Sequence, residues 1–143
     1  MNVNEVLQEF ERFEREFESE SVKESTLKLL RAHLNYLLGL HKAAYNNLEV
    51  FVAENPGSPL LVKAYNLMAK ISSRRLNLNN VRRFNKLQST AVASISYKDG
   101  KTRNLKEAKV CIQQAKCLLP FVGSTSRDEA FDLLGKALKV SSA

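Results

Sequence analysis

Val3, Val6, Phe10, Phe13 and Phe17 recur at alternating spacings of three and four, with Leu7 beside them. That spacing lines one face of an α-helix. Glu5, Glu9, Glu11, Glu14, Glu16 and Glu18 fall on the other side. The pattern predicts an acidic first helix over residues 3–19 with an aromatic stripe turned inward. Ser21 and Glu24 have capping-box spacing and open a second helix. From Leu29 to Val52 the apolar positions cover a broad arc, including Leu34, Leu37, Leu38, Leu40, Ala44, Leu48 and Phe51. A helix apolar over so wide an arc is packed on two sides. The expectation is one long central helix reaching Glu54, bent at Gly39.

The segment Asn55–Pro59, NPGSP, is the strongest break in the chain. Ser58 and Pro59 read as N-cap and first residue of a third helix, with Leu60, Leu61, Ala64, Leu67, Met68 and Ile71 inward. The pattern weakens over residues 72–80, and a short helix follows from Asn80 to Gln88. Ala91, Ala93, Ile95 and Tyr97 then alternate with smaller or polar residues, and Asp99-Gly100 suits a type I′ turn. A small β-hairpin is expected at about residues 90–104. Asn104 and Glu107 look like a capped start. Leu105, Ala108, Ile112, Ala115 and Leu119 make a heptad-like stripe that Pro120 ends. Ser126 and Glu129 open the last helix, built on Ala130, Phe131, Leu133, Leu134, Ala137 and Leu138. The fold class read from this is mainly α. It is a compact bundle of five to six helices with one small inserted hairpin, forming a single domain over residues 1–143.

Composition changes this picture little until charge is mapped. At 143 residues, 44% hydrophobic and 26% charged, the chain has the makeup of a globular domain. Two cysteines, Cys111 and Cys117, are too few for a disulfide framework and read as free buried thiols. The acidic N-terminus lacks the apolar core of a signal peptide, and no apolar run approaches a membrane span. The expected location is cytoplasmic, or nuclear in a eukaryote. The net charge of +7 is unevenly spread. Residues 1–24 hold eight acids against three bases, whereas residues 61–118 hold thirteen bases against two acids. A basic concentration of that size points to a polyanion partner more than the total charge does.

The chemistry-bearing inventory argues against catalysis. There is no glycine-rich phosphate loop, no GxSxG and no HExxH. His33 and His41 lie eight apart, off the i,i+4 spacing that grips zinc. No enzyme activity, cofactor or metal is expected. The basic segment carries the candidate site: Arg74, Arg75, Asn79, Arg82, Arg83, Lys86, Lys98, Lys101, Arg103, Lys106 and Lys109. Arginine forks, lysine point charges and asparagine amides are the groups that hold phosphates. On a continuous helix Arg75, Asn79, Arg82 and Lys86 share an outward face, while Leu76, Phe84 and Leu87 anchor the segment inward. If NLNN (Asn77–Asn80) is instead a corner, one arginine pair ends a helix and the other begins the next.

The expectation is a non-enzymatic protein that holds the DNA or RNA backbone with low sequence specificity. It would serve as a small subunit or accessory factor of a nucleoprotein assembly, whether RNA-guided, viral or transcription-related. No zinc-finger spacing, RNP aromatic motif or GxxG loop adds base reading. The competing expectation is an adaptor or inhibitor module whose basic face docks an acidic protein. A membrane surface is not expected, because no helix pairs a basic face with exposed bulky aromatics.

Overall fold

A computed structural model describes residues 3–16, 24–121 and 123–142. These residues form seven helices: α1 (Val3–Glu16), α2 (Glu24–Leu37), α3 (His41–Glu54), α4 (Leu61–Arg74), α5 (Leu78–Ala93), α6 (Gly100–Leu118) and α7 (Ser124–Ser141). No strand occurs among them. By internal packing the chain divides into two compact units, Met1–Ser58 and Pro59–Ala143.

In the first unit α2 and α3 form an antiparallel pair, and α1 lies against α2. Leu29, Leu30 and Ala32 of α2 and Ala44, Leu48 and Phe51 of α3 are buried, at the three- and four-residue spacings of helix faces. Lys28 donates to both carboxylate oxygens of Glu54, at 3.0 and 3.2 Å, so the start of α2 is tied to the end of α3. The expected long central helix is therefore two helices. Gly39, at φ +82°, turns the chain between them because it adopts a left-handed conformation that a Cβ would penalise. The Tyr36 and His41 rings stack across that turn, 5.6 Å between centroids. Val6 on α1 is buried while Glu5 and Glu11 are exposed. Phe17, Glu18 and Ser21, and with them the end of the aromatic stripe and the first half of the capping box, lie outside the described residues, as do the side chains of Phe10 and Phe13.

In the second unit α4 and α5 make one helical hairpin and α6 and α7 another, with α6 against both α4 and α5. Val62, Val92 and Val110 form one buried cluster, flanked by Ala91 and Ile95. Ala108, Cys111 and Ala137 form another, with Leu133. Phe84 is the largest side chain at the centre of α5, 1% exposed, with the Tyr65 ring stacked 6.5 Å away. A buried polar seam runs between α5 and α6. The Gln88 amide donates to the Val62 carbonyl at 3.2 Å and to Gln113 Oε1 at 3.1 Å. The Gln114 amide donates to the Asn85 carbonyl and to Ser89 Oγ, both at 2.9 Å. Ser73 Oγ donates to the Cys117 carbonyl at 2.7 Å and fastens α4 to α6.

The expected β-hairpin is absent. Ala91–Ala93 are the last turn of α5, and Gly100 opens α6. The apparent alternation hides an i,i+4 pair, Ala91 and Ile95, on the same valine cluster. Asp99 is an N-cap: its backbone is extended (φ −153°, ψ 168°) and its carboxylate accepts from the Thr102 N–H at 2.7 Å. A type I′ turn needs positive φ at both central residues, and neither Asp99 nor Gly100 has it. The NLNN segment does break the helix. Leu76 sits at φ +56°, and Asn77 caps α5 by accepting from the Asn80 N–H at 3.1 Å. Leu76 is consequently 67% exposed and anchors nothing, whereas Phe84 is buried and Leu87 half-buried.

Other helix starts also shift. α4 opens at Leu61, with Leu60 as its cap in place of Ser58. α5 runs from Leu78 to Ala93, beyond the expected Asn80–Gln88. α6 opens at Gly100, ahead of Asn104, and α7 opens at Ser124, leaving Ser126 buried inside it.

Candidate functional site

Between Glu54 and Asp99 the chain contains no acidic residue and eight basic ones. The α4–α5 hairpin is therefore built without internal counter-ions. The turn at Leu76 and Asn77 brings the exposed end of α4, Arg74 and Arg75, next to the start of α5. On α5 the buried side chains are Val81, Phe84, Gln88 and Val92. Asn79, Arg83 and Lys86, at i, i+4 and i+7, point the other way and are exposed. The Arg83 guanidinium carbon lies 5.2 Å from the Phe84 ring centroid.

Arg82 is set apart from this group. It lies on the flank of α5 towards α7, where its Nε donates to the two carboxylate oxygens of Glu129 at 2.9 and 3.2 Å, and Nη2 donates to the same carboxylate. That carboxylate raises the Arg82 pKa and holds the guanidinium charged and oriented. Its charge is locally balanced. The groove beside it, about 440 Å³, carries both signs: Arg82 and Lys86 face Glu129 and Asp132.

The remaining candidates lie elsewhere. Lys98, Lys101 and Arg103 are exposed around the α5–α6 connection. That is the far end of α5 from Arg75, about 24 Å along a 16-residue helix. Arg103 there lines a hollow of about 350 Å³ with Tyr97 and Asp99. Lys109 is exposed and Lys106 half-buried on α6. At 100° per residue Lys109 and Lys116 stand about 140° and 160° from Gln114 but about 40° and 60° from Gln113, both of which reach α5. The eleven candidates thus fall into four groups, with Arg82 on its own. Arg74, Arg75 and Asn79 lie at the α4–α5 corner, and Arg83 and Lys86 continue from it along the exposed face of α5, where Lys86 also borders the groove of Arg82.

Both thiols are free and buried. Burial pushes the Cys117 thiol up to about 11 against the lowering effect of nearby Lys70, and it raises Cys111 as well. Neither is a thiolate nucleophile at neutral pH. Among the described residues no group of three or more His, Cys, Asp or Glu side chains is placed to hold a metal ion, and no helix is long and apolar enough to cross a membrane. Glu129 is a residue whose place beside Arg82 the sequence alone does not show. It sits 47 residues from Arg82, and its spacing to Ser126 marked it as part of a cap. Comparison with known proteins finds no matching family model, curated protein or solved structure.

Proposed function

We propose that this chain is a non-enzymatic binding protein that holds nucleic-acid phosphates at its α4–α5 corner, as a subunit or accessory factor of a nucleoprotein assembly. The supporting observation is an exposed corner of four cations and one amide on a hairpin with no acid of its own. Arg74, Arg75 and Arg83 supply planar donor forks, Lys86 a point charge and Asn79 a neutral donor. The buried faces of α4 and α5 hold these groups on a rigid support, so little ordering is left for the moment of binding. Such contacts fix the backbone and carry no base sequence. Lys98, Lys101 and Arg103 would extend the track only for a strand that follows the length of α5.

Fluorescence anisotropy with a labelled duplex and a labelled single strand over a salt series tests this. Four phosphate contacts give a log–log slope of about −3.6 on duplex and about −2.8 on a single strand. Joint reversal of Arg75, Arg83 and Lys86 to glutamate should abolish binding while the far-ultraviolet spectrum is unchanged. A flat salt response, or binding that survives the reversal, overturns the reading. Recovery of an acidic protein partner that resists nuclease treatment would assign the same corner to the adaptor role instead.

A further inference from the structure

The α6–α7 hairpin leaves a large apolar face uncovered. Leu105, Ile112 and Leu119 on α6 are 57%, 40% and 70% exposed. Phe131, Leu134 and Leu138 on α7 are 64%, 38% and 72% exposed. These are not scattered. The α6 residues repeat every seven positions and fall within about 40° of one another; the α7 residues fall within about 60°. On α6 the order around the helix is Gln114 towards α5, then Ala108 and Cys111 towards α7, then this strip. On α7 it is Glu129 towards α5, then Leu133 and Ala137 towards α6, then the strip. Because α6 and α7 run antiparallel, both strips open on the same side, away from α5. Leu119, Phe131 and Leu134 indeed line one cavity of about 290 Å³.

We infer that this face is a self-association surface, and that its occupant is the same face of a second copy. The area fits. Six side chains at those exposures present on the order of 600 Å² of apolar surface, and a standard interface buries about 800 Å² per partner once its polar rim is counted. The two lysines of α6 disfavour one arrangement, whereas α7 carries an acid, Asp128, beside the single cation within its strip, Arg127. Stacking α6 on α6 would bring Lys109 and Lys116 of both copies together. A two-fold axis parallel to the helices instead lays α6 on α7 of the second copy, antiparallel, as in a four-helix bundle.

Heights along the bundle follow from the contacts of Ala108 and Cys111 with Ala137 and Leu133. Leu105 then meets Leu138 of the second copy, and Ile112 meets Phe131 and Leu134. Lys116, on the outer edge of the α6 strip, comes level with Asp128 of the second copy on the outer edge of the α7 strip. The dyad makes each of these contacts twice.

This inference does not rest on the nucleic-acid reading, and its test is separate. Sedimentation velocity on the full chain, up to about 100 µM, where any dimer with a micromolar Kd is populated, should show a concentration-dependent dimer. Leu138→Glu and Phe131→Glu, both at exposed positions, should give monomers with unchanged helix content and thermal midpoint. Such monomers should still bind oligonucleotides if the α4–α5 corner does so. Lys116→Glu and Asp128→Lys should each weaken the dimer at least several-fold, and the double variant should restore it. A wild-type monomer over the whole range, or a dimer indifferent to both apolar variants, overturns the proposal. Failure of the charge swap to rescue overturns the parallel-dyad arrangement.

Discussion

Replacing Glu129 by glutamine should tighten binding to a polyanion. In the native protein Arg82 stands within the basic segment, but its Nε and Nη2 are committed to the Glu129 carboxylate. Both side chains are about one-third exposed, 37% and 34%, so the freed guanidinium lies within reach of solvent and ligand. The amide keeps the shape of the carboxylate and can still accept one hydrogen bond, but the neutralising charge is gone. Four cations at the corner become five. Each added phosphate contact steepens the duplex salt slope by about 0.9, so it should move from about −3.6 to about −4.5. If the two lines converge near 1 M salt, affinity at 0.1 M rises about eightfold. Anisotropy titrations over a salt series read both quantities, and thermal unfolding by circular dichroism checks the fold. Adding Arg82→Gln should return the slope to its original value. An unchanged or shallower slope in a folded Glu129→Gln variant would refute the reasoning, because Arg82 would then lie off the binding surface.

Phe84→Ala should cost about 3–5 kcal/mol in urea unfolding, since it empties the centre of α5 and removes the ring stacked on Tyr65. Asn77→Ala should cost about 1 kcal/mol by the same measurement, through loss of the cap on the Asn80 N–H. The Thr102 N–H holds the Asp99 carboxyl below its ordinary 3.8. Its contribution is therefore complete above that value and lost as pH falls through the lower folded value. Asp99→Asn should flatten that part of the acid-side decline in thermal midpoint, and an unaltered decline would contradict the cap. Cys117, raised to about 11 by burial, should resist alkylation at neutral pH until the chain unfolds, read by mass spectrometry of labelled peptides.

The inward face of α4 is legible in its apolar spacing, even though α4 packs on both α5 and α6. Leu61, Ala64, Met68 and Ile71 read inward from spacing alone and are buried. Pro120 ends α6 as a residue without an N–H must. The failures share a cause. Asp-Gly is favoured both in a tight hairpin and across a helix start, because aspartate accepts local N–H groups in either. Only the packing of Ile95 and Ala91 on a distant valine cluster decides between them. A continuous helix through Leu76 would turn it inward; a positive φ at a leucine is not a preference that sequence displays. The basic residues form one segment in sequence. The length of α5 and the turn of α6 then separate them. The partner of Arg82 depends on where α7 lies, which spacing along the chain does not encode.

The amide seam between α5 and α6 has a consequence for alignment. Apolar side chains are poor at telling one helical turn from the next, since a leucine meets another leucine almost as well one step along. Gln88, Gln113, Gln114, Asn85 and Ser89 are less forgiving. If α6 slid by a turn, several buried donors and acceptors would lose their partners together, at about 1–3 kcal/mol each. The seam therefore works as a key cut for one position. It fixes how far α6 stands along α5, and with it the height at which α7 presents Glu129 to Arg82. The stability of the core and the placement of its charges are thus set by different residues, and the second task falls to a row of neutral amides.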